Sequence, residues 1–85
     1  MERRYEEALT ARLEDVMLHG CTHVTQQEFR LWYGVEKFAA GSIRDLCQRW
    51  HELTGGKKGE LMAIWGRDGY FLFGQKTQYS LNPDK

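Results

Sequence analysis

Apolar residues recur early in the chain as Tyr5, Ala8/Leu9, Leu13 and Val16/Met17, the spacing of one helical face, with Glu, Arg and Asp between them. This pattern predicts a helix over Glu2–His19, closed by Gly20 where a helix-ending glycine belongs. Val24-Thr25-Gln26-Gln27-Glu28-Phe29 then combines two start signals. Thr25 and Glu28 can form a capping box, and Val24 can staple onto Phe29, so a second helix begins at about Gln26. It carries Phe29, Trp32 and Tyr33 toward the core and meets a stop at Gly34, with a further turn through Val35–Ala40 left open. Ser42 is a good N-cap with Asp45 three positions on, which predicts a third helix over Ile43–Leu53. Its apolar stripe is Ile43, Leu46, Cys47 and Trp50, and Thr54-Gly55-Gly56 ends it.

After Lys57-Lys58-Gly59 the period becomes extended. Glu60–Trp65 and Tyr70–Gln75 are rich in Ile, Trp, Tyr and Phe and are joined by Gly66-Arg67-Asp68-Gly69, whose Asp-Gly pair is a strong hairpin signal. Both strands are apolar at nearly every position instead of alternating. Either one face is core and the other meets a partner, or the aromatics are simply exposed. Thr77–Leu81 is a candidate third extended piece, and residues 76–85 a candidate tail.

Composition narrows the class. Eighty-five residues make one domain, near the size where a single core is only just sufficient. Hydrophobic residues at 41% argue against disorder. Twelve Lys and Arg balance twelve Asp and Glu, which excludes a protein that grips nucleic acid or acidic lipid through net charge alone. The charge divides unevenly, however: residues 1–40 carry a net −2 and residues 41–85 a net +2. The opening Met1-Glu2-Arg3-Arg4 is too charged for a secretory signal, and no apolar run reaches the length of a membrane span. A soluble, cytoplasmic protein with no membrane contact is expected. Cys21 and Cys47 are too few for a disulfide framework and are expected to be free thiols.

The order helix, short extended link at Thr22–Val24, helix, turn, helix, β-hairpin resembles the winged helix-turn-helix superfamily over roughly Tyr5 to Gln75. Phe29…Tyr33-Gly34-Val35 resembles the apolar–x–Gly–apolar turn of helix-turn-helix proteins, although the turn before Ile43 is longer than usual. The Gly41-Ser42 opening and Arg49-Trp50 ending of the third helix also resemble small plasmid- and phage-encoded regulators. The resemblance implies an α+β winged-helix domain that reads the DNA major groove with its third helix and touches backbone or minor groove with the hairpin wing.

On that reading Arg44 and Arg49 can contact guanine edges or phosphate, and Gln48 can read adenine. Ser42 with the helix N-terminus can hold a phosphate, while Lys57, Lys58, Arg67 and Lys76 track the backbone. Asp45 and Glu52 on the same helix oppose this by repelling phosphate, and any exposed amphipathic helix carries such charges. The alternative function is a protein-interaction module or inhibitor of a larger complex, using an aromatic surface of Trp65, Tyr70, Phe71, Phe73 and Tyr79. A homodimer that binds duplex DNA is expected, since small winged-helix regulators pair to match a two-fold operator.

His19-x-Cys21-x-His23 and Cys47-x-x-x-His51 supply zinc-type ligands at spacings that match no standard finger. Cys47 on the apolar stripe is expected to be an inert core thiol, so no metal or other cofactor is predicted. With no phosphate loop and no paired acid and base, a non-enzymatic protein is expected.

Overall fold

The computed structural model describes residues 1–34, 40–77 and Leu81. These form a small α+β domain of three helices and a three-stranded antiparallel sheet. Helix α1 spans Arg3–His19 and buries Leu9, Leu13 and Val16, which share one face. Gly20 takes the left-handed conformation there, and its N–H donates to the Val16 carbonyl at 2.8 Å, ending the helix as its position in the sequence predicts.

Strand β1, Cys21–Thr25, occupies the five residues between that stop and the next helix start. The sequence suggested only an extended link here. In the fold this segment pairs antiparallel with β3 along its whole length, from Cys21 opposite Phe73 to Thr25 opposite Gly69. Thr25 then caps α2, Gln26–Tyr33, through the expected reciprocal box: the Glu28 N–H donates to Thr25 Oγ1 at 3.1 Å, and the Thr25 N–H donates to Glu28 Oε1 at 3.0 Å. Val24 and Phe29, on either side of the cap, are both buried. Gly34, also left-handed, closes α2. The candidate extra turn through Val35–Ala40 falls, apart from Ala40, outside the described residues.

Helix α3, Ala40–Thr54, already includes residue 40. Ser42 is therefore not its N-cap. It lies within the helix and is buried, and with Leu46 and Trp50 it forms the inward row. The helix is rotated relative to the expected stripe, so Ile43 is 41% exposed and Cys47 is exposed as well. At the other end, Trp50 Nε1 donates to the Gly59 carbonyl at 3.0 Å, and Thr54 Oγ1 donates to the Trp50 carbonyl at 2.9 Å. These bonds fix the turn that leads into the hairpin.

Strands β2, Leu61–Trp65, and β3, Gly69–Gly74, form that hairpin close to its expected bounds. The sheet order is β1-β3-β2, so β3 is central. Thr77 ends a short 3-10 turn over Gln75–Thr77 instead of opening an extended piece, and residues 78–80 lie outside the described set. Residues directly opposite in an antiparallel pair share a face. Val24, Tyr70 and Leu72 point inward and pack with Leu9, Leu13, Val16, Phe29, Trp32, Leu46 and Trp50 into one core. Phe29 stands 5.6 Å from Tyr70, ring to ring. Among the described residues no helix is long and apolar enough to cross a membrane.

The closest backbone approach is at the start of β3. A Cβ on Gly69 would lie 2.1 Å from the Val24 carbonyl oxygen and 2.8 Å from the Thr25 Cα, both main-chain atoms that cannot swing aside. Gly69→Ala must push β1 away from β3 and is expected to lower stability by about 3 kcal/mol, as overpacking at a rigid contact does. Urea unfolding measures this; a midpoint unchanged from wild type would contradict the pairing of Thr25 with Gly69.

Candidate functional site

Rotation of α3 sorts its polar residues into two groups. Asp45 and Arg49, four apart, turn toward α1 and α2. Arg44, Gln48, His51 and Glu52 remain exposed on the outer side.

The first group is tied into the fold. Asp45 Oδ2 accepts from the Tyr33 hydroxyl at 2.6 Å and from Arg49 Nε at 2.7 Å, and Arg49 Nη2 reaches Glu6 Oε1 of α1 at 3.5 Å. One network thus joins all three helices. Partial burial pushes the Asp45 carboxyl up, but the hydrogen bonds from Tyr33 and Arg49 and the Arg49 charge outweigh it and hold Asp45 below the ordinary carboxylate range. Burial, with the hydrogen bond to Asp45 and its negative charge, pushes the Tyr33 phenol well above its usual value. Arg49 was a candidate for reading bases, but here its guanidinium is engaged by two carboxylates. Ser42 lies in the first turn of α3 but is buried in the inward row, which turns it away from an incoming phosphate.

The second group lies at the surface. Arg44 is exposed, and Gln48 Nε2 donates to Glu52 Oε1 at 3.2 Å on the surface. Beyond the helix, Lys57 and Lys58 are exposed on the turn before β2. Lys76 Nζ donates to the Lys57 carbonyl at 3.4 Å, which brings a third base beside them. Arg67 stands exposed at the hairpin tip, and the Asp68 carbonyl beside it accepts the Gln26 N–H at 3.0 Å. Of the predicted nucleic-acid residues, the fold leaves Arg44, Gln48, Lys57, Lys58, Arg67 and Lys76 at the surface.

The predicted aromatic surface is partly dissolved. Tyr70 is 4% exposed and belongs to the core, because the pleat turns it inward opposite Val24. Phe71 and Phe73 face outward, sharing the outer sheet face with Cys21, His23, Met62 and Ile64. Phe71 and Ile64 are about half exposed, and the His23 ring lies 4.6 Å from that of Phe71. Trp65 is 67% exposed on the inner face, beyond the cover of the helices. Tyr79 lies outside the described residues. Among those described, no group of three or more His, Cys, Asp or Glu side chains is placed to hold a metal ion.

Sequence reasoning missed the Tyr33–Asp45–Arg49–Glu6 network. The spacing of Asp45 and Arg49 is the usual helical ion-pair signal, but Tyr33 and Glu6 join it only through the packing of α1 and α2 on α3. Comparison with protein-family models, with curated proteins and with solved structures finds no match for this chain.

The folded state holds Asp45 below its unfolded value, so the network contributes fully above about pH 4 and is lost as pH falls through the lower, folded value. Asp45→Asn is therefore expected to make stability less dependent on acid. Urea midpoints measured at neutral pH and below about pH 3 should differ less in this variant than in wild type. An equal fall in both proteins would show that the network carries no acid sensitivity.

Proposed function

We propose that this chain is a winged-helix, sequence-specific DNA-binding protein, a small transcriptional regulator, with α3 in the major groove and the Arg67 hairpin on backbone or minor groove. The observation that carries the reading is the pairing of Asp45 with Arg49 and Tyr33 on the flank of α3. The acid that argued most directly against phosphate has its charge balanced by Arg49 and accepts a hydrogen bond from Tyr33. Arg44, Gln48 and His51 are exposed on α3, and Lys57 and Lys58 on the turn that follows it with Lys76 beside them; Glu52 and Glu60 are the exposed acids among them.

Arg44 suits guanine O6 and N7 or phosphate, and Gln48 suits adenine N6 and N7. The lysines and Arg67 act as phosphate contacts that set register without carrying sequence information. Neutral net charge fits a protein whose affinity comes from a local patch.

A second reading has its own observation. The outer sheet face exposes Phe71 and Ile64 beside Met62 and Phe73, an apolar surface suited to a protein partner. On that reading the domain is an interaction module or inhibitor, and DNA is not its ligand.

Binding to random-sequence duplex DNA in a salt series separates the two. Five basic groups, with Arg49 excluded, predict a slope of log K against log[salt] of about −4.5. Arg67→Ala should weaken binding to all sequences alike, whereas Arg44→Ala and Gln48→Ala should flatten sequence preference. Arg49→Ala should lower stability more than it lowers affinity. No binding, or binding indifferent to salt, would overturn the DNA reading.

A further inference from the structure

The two edges of the sheet are finished differently. On β1, the bond from the Gln26 N–H to the Asp68 carbonyl sets the phase of the ladder, so the backbone groups of residues 21, 23 and 25 point away from β3. Side chains of the neighbouring helices meet two of them. The Arg12 guanidinium donates to the His23 carbonyl, and the Thr25 N–H donates to Glu28, itself paired with Arg12. The middle and end of this edge are thereby covered from within.

On β2, the Gly66 N–H donates to the Gly69 carbonyl at 2.8 Å and the Gln75 N–H to the Glu60 carbonyl at 2.9 Å. Those bonds direct the even-numbered backbone groups toward β3 and leave the N–H and C=O of Leu61, Ala63 and Trp65 pointing outward. Among the described residues, no hydrogen bond reaches these outward groups. The strand reads Leu-Met-Ala-Ile-Trp, without the charged side chains or proline by which exposed edges usually resist pairing.

We propose that this edge is the site where a second copy of the chain adds, β2 to β2, antiparallel about a two-fold axis at Ala63. Only the register that places Ala63 opposite Ala63 and Leu61 opposite Trp65 pairs every outward N–H and C=O of the three residues. A shift of either copy by one pleat leaves one of them unmatched. The register is its own two-fold image, as an interface between identical copies requires.

The side chains agree with this arrangement. Between α3 and β2 runs an apolar groove of about 190 Å³, lined by Ile43, Leu46, Cys47, Leu61 and Ala63 among others. Pairing Trp65 with Leu61 of the other copy sets its exposed indole at the mouth of that copy's groove, on the same face of the sheet. Ala63 keeps the axis uncrowded. The exposure of Ile43, Cys47 and Trp65, out of place for an isolated domain, then follows from a single contact. The result is one continuous six-stranded sheet, three strands from each copy. This inference does not rest on the DNA reading.

Sedimentation equilibrium of the purified chain tests it, and the expected result is twice the monomer mass. Ala63→Pro removes an outward N–H and no bond to β3, so it should give a monomer with unchanged helical circular dichroism. In a Cys21→Ser/Cys47→Ser background, Ala63→Cys should form an interchain disulfide on mild oxidation. Hydrogen-bonded antiparallel pairs hold their Cα atoms about 5.5 Å apart, within disulfide reach. Thr10→Cys on α1 should not cross-link. If Ala63→Pro fails to fold, the cross-linking result alone decides. A monomeric wild type, or a dimer in which Ala63→Cys links no better than Thr10→Cys, would overturn the proposal.

Discussion

The architecture depends on β3 being hydrogen-bonded on both sides. Its partners come from distant parts of the chain: β1 from the link between the first two helices, β2 from the preceding arm of the hairpin. Without the β1 pairing the chain would be a helical unit with a loosely attached hairpin. With it, Val24, Tyr70 and Leu72 form an apolar floor on which α1 and α2 bury Leu9, Leu13, Val16 and Phe29. Gly69 permits the closest part of this junction, where any side chain would strike the main chain of β1.

Helix α3 is held differently. Leu46 and Trp50 anchor it in the core, while the Trp50 indole and the Tyr33–Asp45–Arg49–Glu6 network fix it through polar bonds to the turn and to the other helices. That arrangement divides the charges of a neutral chain into structural and available ones. Asp45, Arg49, Arg12 and Glu28 pair with one another or with neighbouring elements; Arg44, Lys57, Lys58, Arg67 and Lys76 are exposed without an ion pair among the described residues, and they define the surface on which the DNA reading stands. The same placement of α3 leaves its Ile43 and Cys47 side apart from β2, which creates the groove beside the open edge.

What could be read in the chain beforehand was local. The glycine stop at Gly20, the Thr25–Glu28 capping box and the Asp68-Gly69 turn each depend on residues within a few positions of one another, and each appears in the fold. The features that could not be read depend on distant partners. A five-residue Cys-Thr-His-Val-Thr segment between two helices carries no sign that its hydrogen-bond partner lies beyond residue 68. Ile43 and Cys47 are more apolar than Ser42, so the local pattern of α3 points to a different inward row from the one the fold buries. The row actually buried, Ser42, Leu46 and Trp50, is set by how the helix meets α1 and the sheet. That rotation turns Ser42 into the core and Arg49 toward Asp45 and Glu6, and leaves Arg44 and Gln48 exposed; Tyr70 is buried by the pleat of β3.

The proposed DNA-binding surface is the outer side of α3 together with the hairpin tip. Titration of the isotope-labelled chain with a short duplex at low salt, followed by backbone amide NMR shifts, tests this most directly. The account predicts shifts concentrated at Arg44, Gln48, Lys57, Lys58 and Arg67, reversed by added salt, with Leu9, Leu13 and Phe29 unmoved. Shifts confined to Ile64, Phe71 and Phe73, or no shifts at all, would contradict it.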